Sequence, residues 1–483
     1  MTTIAAREHH RVEAAGRPFV YLVPSGALFE IDATADAILT TLSSGPRPVA
    51  EVVAALGGQF GDTVVSETIS ELLQLQALGE ITPQPAVAAR KFIPLKPIPL
   101  QSLVLNVTNQ CNLACTYCYE YGEDKIVDTE NGKKPKFMSE VTAREAVDFM
   151  FKEAGDSPTA HITFFGGETL LNFPVLKKTV AYARRRAAEL NKQLDFSLTT
   201  NATLLKPEVI DFIVENRIAV TVSIDGPPKL QDKFRVFHNG RGSYDLVAPR
   251  IKELIAKHRT RPIGARVTLT KQTLDVKTIY KHLTEEIGFY EVGFAPVTNS
   301  GQVDYAISGE GFNDMLAQFT ELAEEFLEAA VENRHHGFSN IRETIGELHK
   351  GVSKAYPCGA GVGLVGVATD GDVNLCHRFA GSDEHKLGHV RDGINKEVQA
   401  AFLQAHHIDN KTDCSTCWAR PVCSGGCYHE AHLRFGDTSS PVLHYCDWIR
   451  GWTEVCLKVY AELSVRNPDY LRRFEDEPAE KVA

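Results

Sequence analysis

The sequence predicts an α/β fold in which helices cover a parallel sheet. Three observations carry this. From residue 102 onward, short β-prone runs alternate with helical patterns. The runs are SLVLNVT, HITFFGG, DFSLTTN, AVTVSIDG, IGARVTLT and YEVGFAPV. Between them lie TAREAVDFMFKEAG, FPVLKKTVAYARRRAAELN, PEVIDFIVEN and YDLVAPRIKELIAKH. Six such repeats imply strands joined by helical crossovers, in a sheet either open or curled into a partial barrel. The composition is ordinary for a globular chain, 43% hydrophobic and 23% charged, which supplies ample core for about three domains. The eleven cysteines fall in two islands, Cys111 to Cys118 and Cys358 to Cys456. Cysteine used only as a small core residue would be scattered, so two islands predict two sites.

Charge and segment patterns exclude several classes. The net charge is −11, which disfavours a cationic nucleic-acid or membrane-surface binder. No run of 18 apolar residues is present, and MTTIAAREHHRVEAAG has no apolar core of a secretory signal. The expectation is a cytoplasmic protein. In a reducing compartment, many cysteines point to metal or redox chemistry rather than disulfides.

The first 85 residues differ in texture from the rest. In PFVYLVPSGALFEID, two β-prone runs flank a Pro-Ser-Gly turn, a hairpin signal. Three short helical patterns follow. In the third, Val65, Ile69, Leu72 and Leu73 keep helical spacing and Gly79 is read as the stop. A hairpin and three helices suggest a small winged helix. VAARKFIPLKPIPLQ reads as a linker. Residues 311–335 read as an amphipathic helix whose stripe, Phe312, Met315, Phe319, Leu322 and Phe326, faces a core. Beyond Cys358 the Gly- and Cys-rich chain is expected to lack a full apolar core and to be held by metal. The tail EPAEKVA is expected to fray.

The first island, CNLACTYCYE, spaces its cysteines as Cys-x3-Cys-x2-Cys: Cys111, Cys115 and Cys118. Three thiolates can hold three irons of a four-iron cluster and leave the fourth open to a small molecule. A structural zinc site wants four ligands, and no nearby His or Cys completes one. The island follows the first strand, at the sheet edge where such folds place their chemistry.

This pattern resembles the radical S-adenosylmethionine (SAM) superfamily over residues 102–300. The resemblance implies one [4Fe-4S] cluster on Cys111, Cys115 and Cys118, with SAM chelated to the open iron and cleaved to a 5′-deoxyadenosyl radical. It implies that Tyr117 packs near the adenine. Gly166-Gly167-Glu168 would bind the methionine amino group. Thr200-Asn201 and Ser223-x-Asp225-Gly226 would lie near the ribose and carboxylate, and Arg235 would face the methionine carboxylate.

The second island reads Cys358, Gly371-x4-Cys376, Cys414-x2-Cys417-x5-Cys423-x3-Cys427 and Cys446. It resembles the seven-cysteine SPASM extension of radical enzymes that modify peptides. Taken alone, its paired cysteines also suit zinc; the upstream motif favours iron and sulfur. The resemblance implies that Cys414, Cys417, Cys423 and Cys446 ligate one auxiliary [4Fe-4S] cluster and that Cys358, Cys376 and Cys427 hold another. The total is then three clusters. Cys456 is left over, as a distant fourth ligand, a catalytic thiol or a buried helix residue.

Residues 17–85 resemble the winged-helix peptide-recognition domain of peptide maturation systems, which captures a leader peptide along a strand edge. Only Arg17 and Arg47 are cationic there, which disfavours DNA. The implied layout is a leader-recognition domain (1–90), a partial (β/α)6 radical SAM barrel (100–300), a helical linker (301–345) and a SPASM domain (346–483). CNLACTYCYEYGEDKI and CSGGCYHEAH carry a closer resemblance to the maturation enzymes of quinohemoprotein amine dehydrogenase. These join a cysteine sulfur to an Asp or Glu side-chain carbon in a small Cys-rich polypeptide. The alternatives are an anaerobic sulfatase maturase, against which the leader domain argues, and a non-catalytic metal-stabilised scaffold. The implied partners are a leader-bearing polypeptide and a flavodoxin- or ferredoxin-like electron donor, with no nucleic acid or membrane. His377 and Asp409 are the candidate bases.

Overall fold

A computed structural model describes residues 2–80, 98–120, 122, 125 and 134–475. Most of the linker and the tail named above lie outside them. The N-terminal strands are β1 (Thr3–Ala6), β2 (His9–Ala14), β3 (Arg17–Leu22), β4 (Ala27–Glu30), β5 (Arg47–Pro48) and β6 (Leu78–Glu80). They form two three-stranded sheets ordered β5-β1-β6 and β2-β3-β4. The expected hairpin is β3–β4, and the helices α1 (Ala33–Leu42), α2 (Val49–Phe60) and α3 (Asp62–Gln74) follow. The last helix ends at Gln74, and Gly79 sits in β6 rather than stopping it. The pleat of β3 gives the sheet two buried faces. Val20 and Leu22 pack with Ile4, Ile38, Leu39 and Ile69 in a separate core. Phe19 and Tyr21, with Val12 and Ala14, join the main core of the molecule.

The centre is a ten-stranded sheet. Six strands are mutually parallel: β7 (Ser102–Thr108), β8 (Thr159–Gly166), β9 (Gln193–Thr200), β10 (Ala219–Ser223), β11 (Ile263–Leu269) and β12 (Glu291–Pro296). They are covered by α4 (Glu140–Ala154), α5 (Phe173–Glu189), α6 (Pro207–Glu215), α7 (Pro228–Phe234), α8 (Tyr244–Lys257) and α9 (Val276–Lys281). This is the expected α/β arrangement of a parallel sheet covered by helices, with all six strands ending on one edge. Among the described residues β12 pairs only with β11, so hydrogen bonding does not close the barrel.

The C-terminal region extends the same sheet. After α10 (Gly309–Val331) and α11 (Ser339–His349), β13 (Leu364–Val367) pairs in parallel with β7, matching Leu364 to Ser102 and Val367 to Leu105. The strands β14 (Asp372–Asn374), β15 (Lys386–His389) and β16 (Gly393–Ile394) continue it antiparallel. The helices α12 (Lys396–His406), α13 (Arg420–Cys423), α14 (Tyr428–Phe435) and α15 (Cys446–Arg466) complete the described chain's longer elements. The expectation of a segment without an apolar core is therefore corrected. Trp448, Trp452 and Leu457 of α15 belong to the main core. The α10 stripe meets them, with Phe319 at 5.2 Å from Trp452 and 5.7 Å from Trp448. Among the described residues, no helix is long and apolar enough to cross a membrane.

Candidate functional site

The first cysteine loop leaves β7 and is pinned from outside its own sequence. Ala114 N–H donates to Val236 O at 2.8 Å, and His238 Nε2 lies 3.1 Å from Cys111 O. Cys118 N–H donates to Cys115 O at 3.0 Å, which folds the Cys-x2-Cys unit into a turn. Burial raises the Cys111 thiol and pushes Cys115 up to about 12; the nearby Cys118 raises both further, and Cys115 adds to the rise at Cys111. Three crowded thiols that resist ionising alone suit a cation that takes thiolates.

The neighbours of this loop are the residues the sequence singled out. Gly166 has φ +130°, and a Cβ there would stand 2.2 Å from Thr108 O; only glycine lets β8 end this close to β7. Glu168 is buried, and its carboxylate accepts from Leu170 N–H (3.0 Å), Thr200 Oγ1 (2.7 Å) and Asn201 N–H (2.8 Å). Its pKa is raised by burial against these bonds. It therefore clamps the ends of β8 and β9 together. Asn201 Nδ2 reaches Cys111 Sγ at 3.8 Å. Tyr117 donates its hydroxyl to Asp225, whose Oδ2 lies 2.9 Å from Arg235 Nε, and the guanidinium sits 5.5 Å from the Tyr117 ring centre. Asp225 also accepts from Thr268 N–H at 3.1 Å, joining β10 to β11. Burial opposes charge on Arg235, and Asp225, Tyr117 and Cys115 together more than offset it. Gly167 and Ser223 stand at the same edge, where Gly167 N–H donates to Thr108 O at 3.1 Å and Ser223 ends β10.

In the second island, two sets of thiols influence one another. Burial and then the nearby Cys427 raise the Cys376 thiol, to about 12, and Cys427 also raises Cys358. Cys414, Cys417, Cys423 and Cys446 form the second group, with Cys414 pushed up to about 11 by burial first and its partners next. Lys411 is buried with no hydrogen-bond partner for its ammonium, and it feels Cys414, Cys423 and Cys358. A buried unpaired cation between two thiol groups is costly unless the groups are anionic, which fits thiolate-bound clusters at both. Cys456 stands apart in the core on α15, its thiol turned to Thr344.

Between the two islands lie residues the sequence reading missed. Arg378 is half-buried beside Cys376 and Cys427; its guanidinium sits 4.8 Å from the Tyr119 ring centre and Nη1 donates to Thr298 Oγ1 at 2.7 Å. His377 packs 4.4 Å from the Phe165 ring and 6.3 Å from Tyr119. Burial, then Arg378, pulls its pKa down to about 3, so it is neutral. Asp409 is exposed on a short helix before Cys414. Only adjacency to Cys118 and Cys376 could have flagged Tyr119 and Arg378.

Residues 105–283 match the Radical SAM superfamily. The serine-type anaerobic sulfatase-maturating enzyme of Bacteroides thetaiotaomicron is 28% identical over 372 residues, spanning 72% of this chain and 86% of that protein. The cysteine-type enzyme of Clostridium novyi is 22% identical over 366 residues, spanning 74% and 94%. The fold resembles native anSMEcpe with bound AdoMet and Cp18Cys peptide, at TM-score 0.63 and 21% identity, over 77% of this chain and 99% of that one. It also resembles Streptococcus suis SuiB bound to precursor peptide SuiA, at TM-score 0.50 and 14% identity, over 91% and 98%. The cysteine loop and the strand-end contacts lie within the part of the chain, residues 105–283, that is similar to the Radical SAM superfamily.

Proposed function

We propose that this chain is a radical SAM enzyme that modifies a ribosomally made polypeptide, joining a cysteine sulfur to an Asp or Glu side-chain carbon. When bound, SAM and the clusters supply the hydrogen-abstracting radical and take up the electron released, with a flavodoxin- or ferredoxin-like donor starting the cycle. The residues that would hold the first cluster are Cys111, Cys115 and Cys118; Cys358, Cys376 and Cys427, and Cys414, Cys417, Cys423 and Cys446, would hold the others. Tyr117, Asp225, Arg235 and the Gly166–Glu168 turn would shape the SAM side of the pocket. In the overall balance one C–H and one S–H bond break and one C–S bond forms. The hydrogen atom leaves with 5′-deoxyadenosine, the electron is taken up as stated, and the thiol proton goes to a base. His377, between the two islands, would relay that proton rather than hold it, its lowered pKa favouring onward release; Asp409 is exposed on a short helix before Cys414.

The observation that carries this reading is the pairing of a three-cysteine group with the radical loop across Tyr119, His377 and Arg378. The N-terminal domain supports a leader-bearing substrate, because the anSMEcpe structure spans 77% of this chain and the SuiB structure 91%. A second reading, oxidation of a Ser or Cys side chain to formylglycine, is favoured by the sulfatase-maturating relatives. Mass spectrometry separates them. The reconstituted enzyme is incubated with SAM, reductant and either a leader-bearing Cys-rich polypeptide or a sulfatase-type peptide. A cross-linked product that has lost two hydrogens and a thiol open to alkylation supports thioether formation. An aldehyde that reacts with hydrazide, with no cross-link in the first peptide, supports the second reading.

A further inference from the structure

The loop after Cys376 and the helix after Cys427 meet at a group of side chains that the radical chemistry does not use. Glu384, His385 and His432 each bring one ligand atom to within 4.8 Å of the others. His385 is buried, and its Nδ1 lies 2.8 Å from Ser382 Oγ, so Nε2 is left to face outward from that bond. His432 crosses it at right angles, with ring centres 4.6 Å apart. Its Nδ1 is buried and has no hydrogen-bond partner. His429, one turn earlier on α14, is fully buried with both ring nitrogens unpartnered. The Phe379 ring touches all three imidazoles, at 4.2 Å from His385, 5.4 Å from His429 and 6.2 Å from His432.

Buried imidazole nitrogens without partners are costly in a folded core. A cation held by His432 and its neighbours would give the unpartnered ring a partner. Two imidazoles and one carboxylate form a nitrogen and oxygen donor set suited to zinc, with a fourth position left for water. The set contains no sulfur, which separates it chemically from the cysteine groups nearby. We propose that Glu384, His385 and His432 form a zinc site that staples the 377–385 loop to α14. Cys376 precedes that loop and Cys427 precedes that helix, so the staple fixes the spacing of two cysteines of one group. The site is structural in the first instance, and its occupancy does not depend on what the enzyme does to its substrate.

The test uses the full-length holoenzyme, reconstituted with iron and sulfide, equilibrated with zinc chloride and passed over a chelating resin. The expected result is one tightly held zinc per chain beyond the iron. Its absorption fine structure should show only nitrogen or oxygen neighbours at about 2.0–2.2 Å. His385→Ala with His432→Ala should remove the zinc and leave the iron content unchanged. Glu384→Gln, a change at an exposed position, should speed zinc loss to a chelator by about tenfold or more; this variant decides the matter even where the double variant fails to fold. No zinc retained by the wild type, sulfur among its neighbours, or wild-type retention in Glu384→Gln overturns the proposal. The readout is metal content, so failure of this site and failure of the thioether reading remain distinguishable.

Discussion

The rings of Tyr119 and His377 meet edge-on, their centres 6.3 Å apart, and each directly follows a cysteine of a different island. Tyr119 follows Cys118 and His377 follows Cys376. Two sites about 250 residues apart in the chain are thereby brought together around one short space. Arg378 lies on the same side, over the Tyr119 ring.

This placement makes His377 a test of the proton step. His377→Phe keeps an aromatic ring against Phe165 and removes both nitrogens. Cross-linked product should fall by about a hundredfold, while uncoupled formation of 5′-deoxyadenosine continues. Asp409→Asn should change neither. Full product formation by His377→Phe removes this residue from the mechanism.

The radical loop is tested by iron and by SAM cleavage together. Replacing Cys111, Cys115 and Cys118 with Ala should leave about eight irons of about twelve, since each four-iron cluster needs its thiolates. Formation of 5′-deoxyadenosine should stop. Continued cleavage in that variant contradicts the assignment of the loop.

Arg378 offers a separate electrostatic test. A half-buried guanidinium beside Cys376 and Cys427 favours the more reduced, more negative state of whatever those thiolates hold. Arg378→Gln should lower the potential of that centre by on the order of 60 mV, a tenfold change for one electron. Arg378→Lys should restore part of it. Redox titration followed by electron paramagnetic resonance reads the shift, and an unchanged potential places the cation outside the centre's field.

Cys456 shows how spacing and tertiary structure divide the work of interpretation. Spacing alone left it as ligand, catalytic thiol or helix residue. The structure buries it on α15 with Thr344, because that helix turns Trp448, Trp452 and Leu457 toward the main core. Cys456→Ala should therefore keep the wild-type iron content and lower stability by about 1 kcal/mol. Loss of iron would restore it as a ligand.

The groups of cysteines and the strand-end motifs were legible because local spacing and the parallel-sheet rule act together. Gly166, Glu168, Asn201 and Asp225 all stand where that rule puts them. Arg378, Tyr119 and Lys411 were not legible, since their roles arise only when distant segments meet. The pairing of β13 with β7 was hidden for the same reason. The strands β1 and β2 were missed because His9, His10 and Arg11 interrupt the apolar alternation, and only Ile4, Val12 and Ala14 are buried. With β2 present, β3 becomes a central strand, paired on both sides. β3 therefore offers no free edge to a peptide.

The remaining edge is β4. Among the described residues its outer side pairs with no strand, while the β2 side packs toward the C-terminal region. There His10 stacks on Trp418 at 3.7 Å and Ala15 N–H donates to Glu462 at 2.5 Å. Deleting the whole domain is a poor test, because Phe19 and Tyr21 belong to the main core. A sharper one uses the alternation of an antiparallel ladder, in which successive N–H groups point to opposite sides. Proline is placed separately at Leu28 and at Phe29. One substitution removes a donor to β3 and should destabilise the hairpin. The other removes only an outward donor. That second variant should keep its stability and its uncoupled SAM cleavage. Its affinity for a leader-bearing peptide should weaken by about tenfold, the loss expected for one backbone hydrogen bond of about 1.4 kcal/mol. Calorimetric titration with the full polypeptide and with its leader alone makes the comparison. If both prolines leave the affinity unchanged, the leader is held somewhere other than β4.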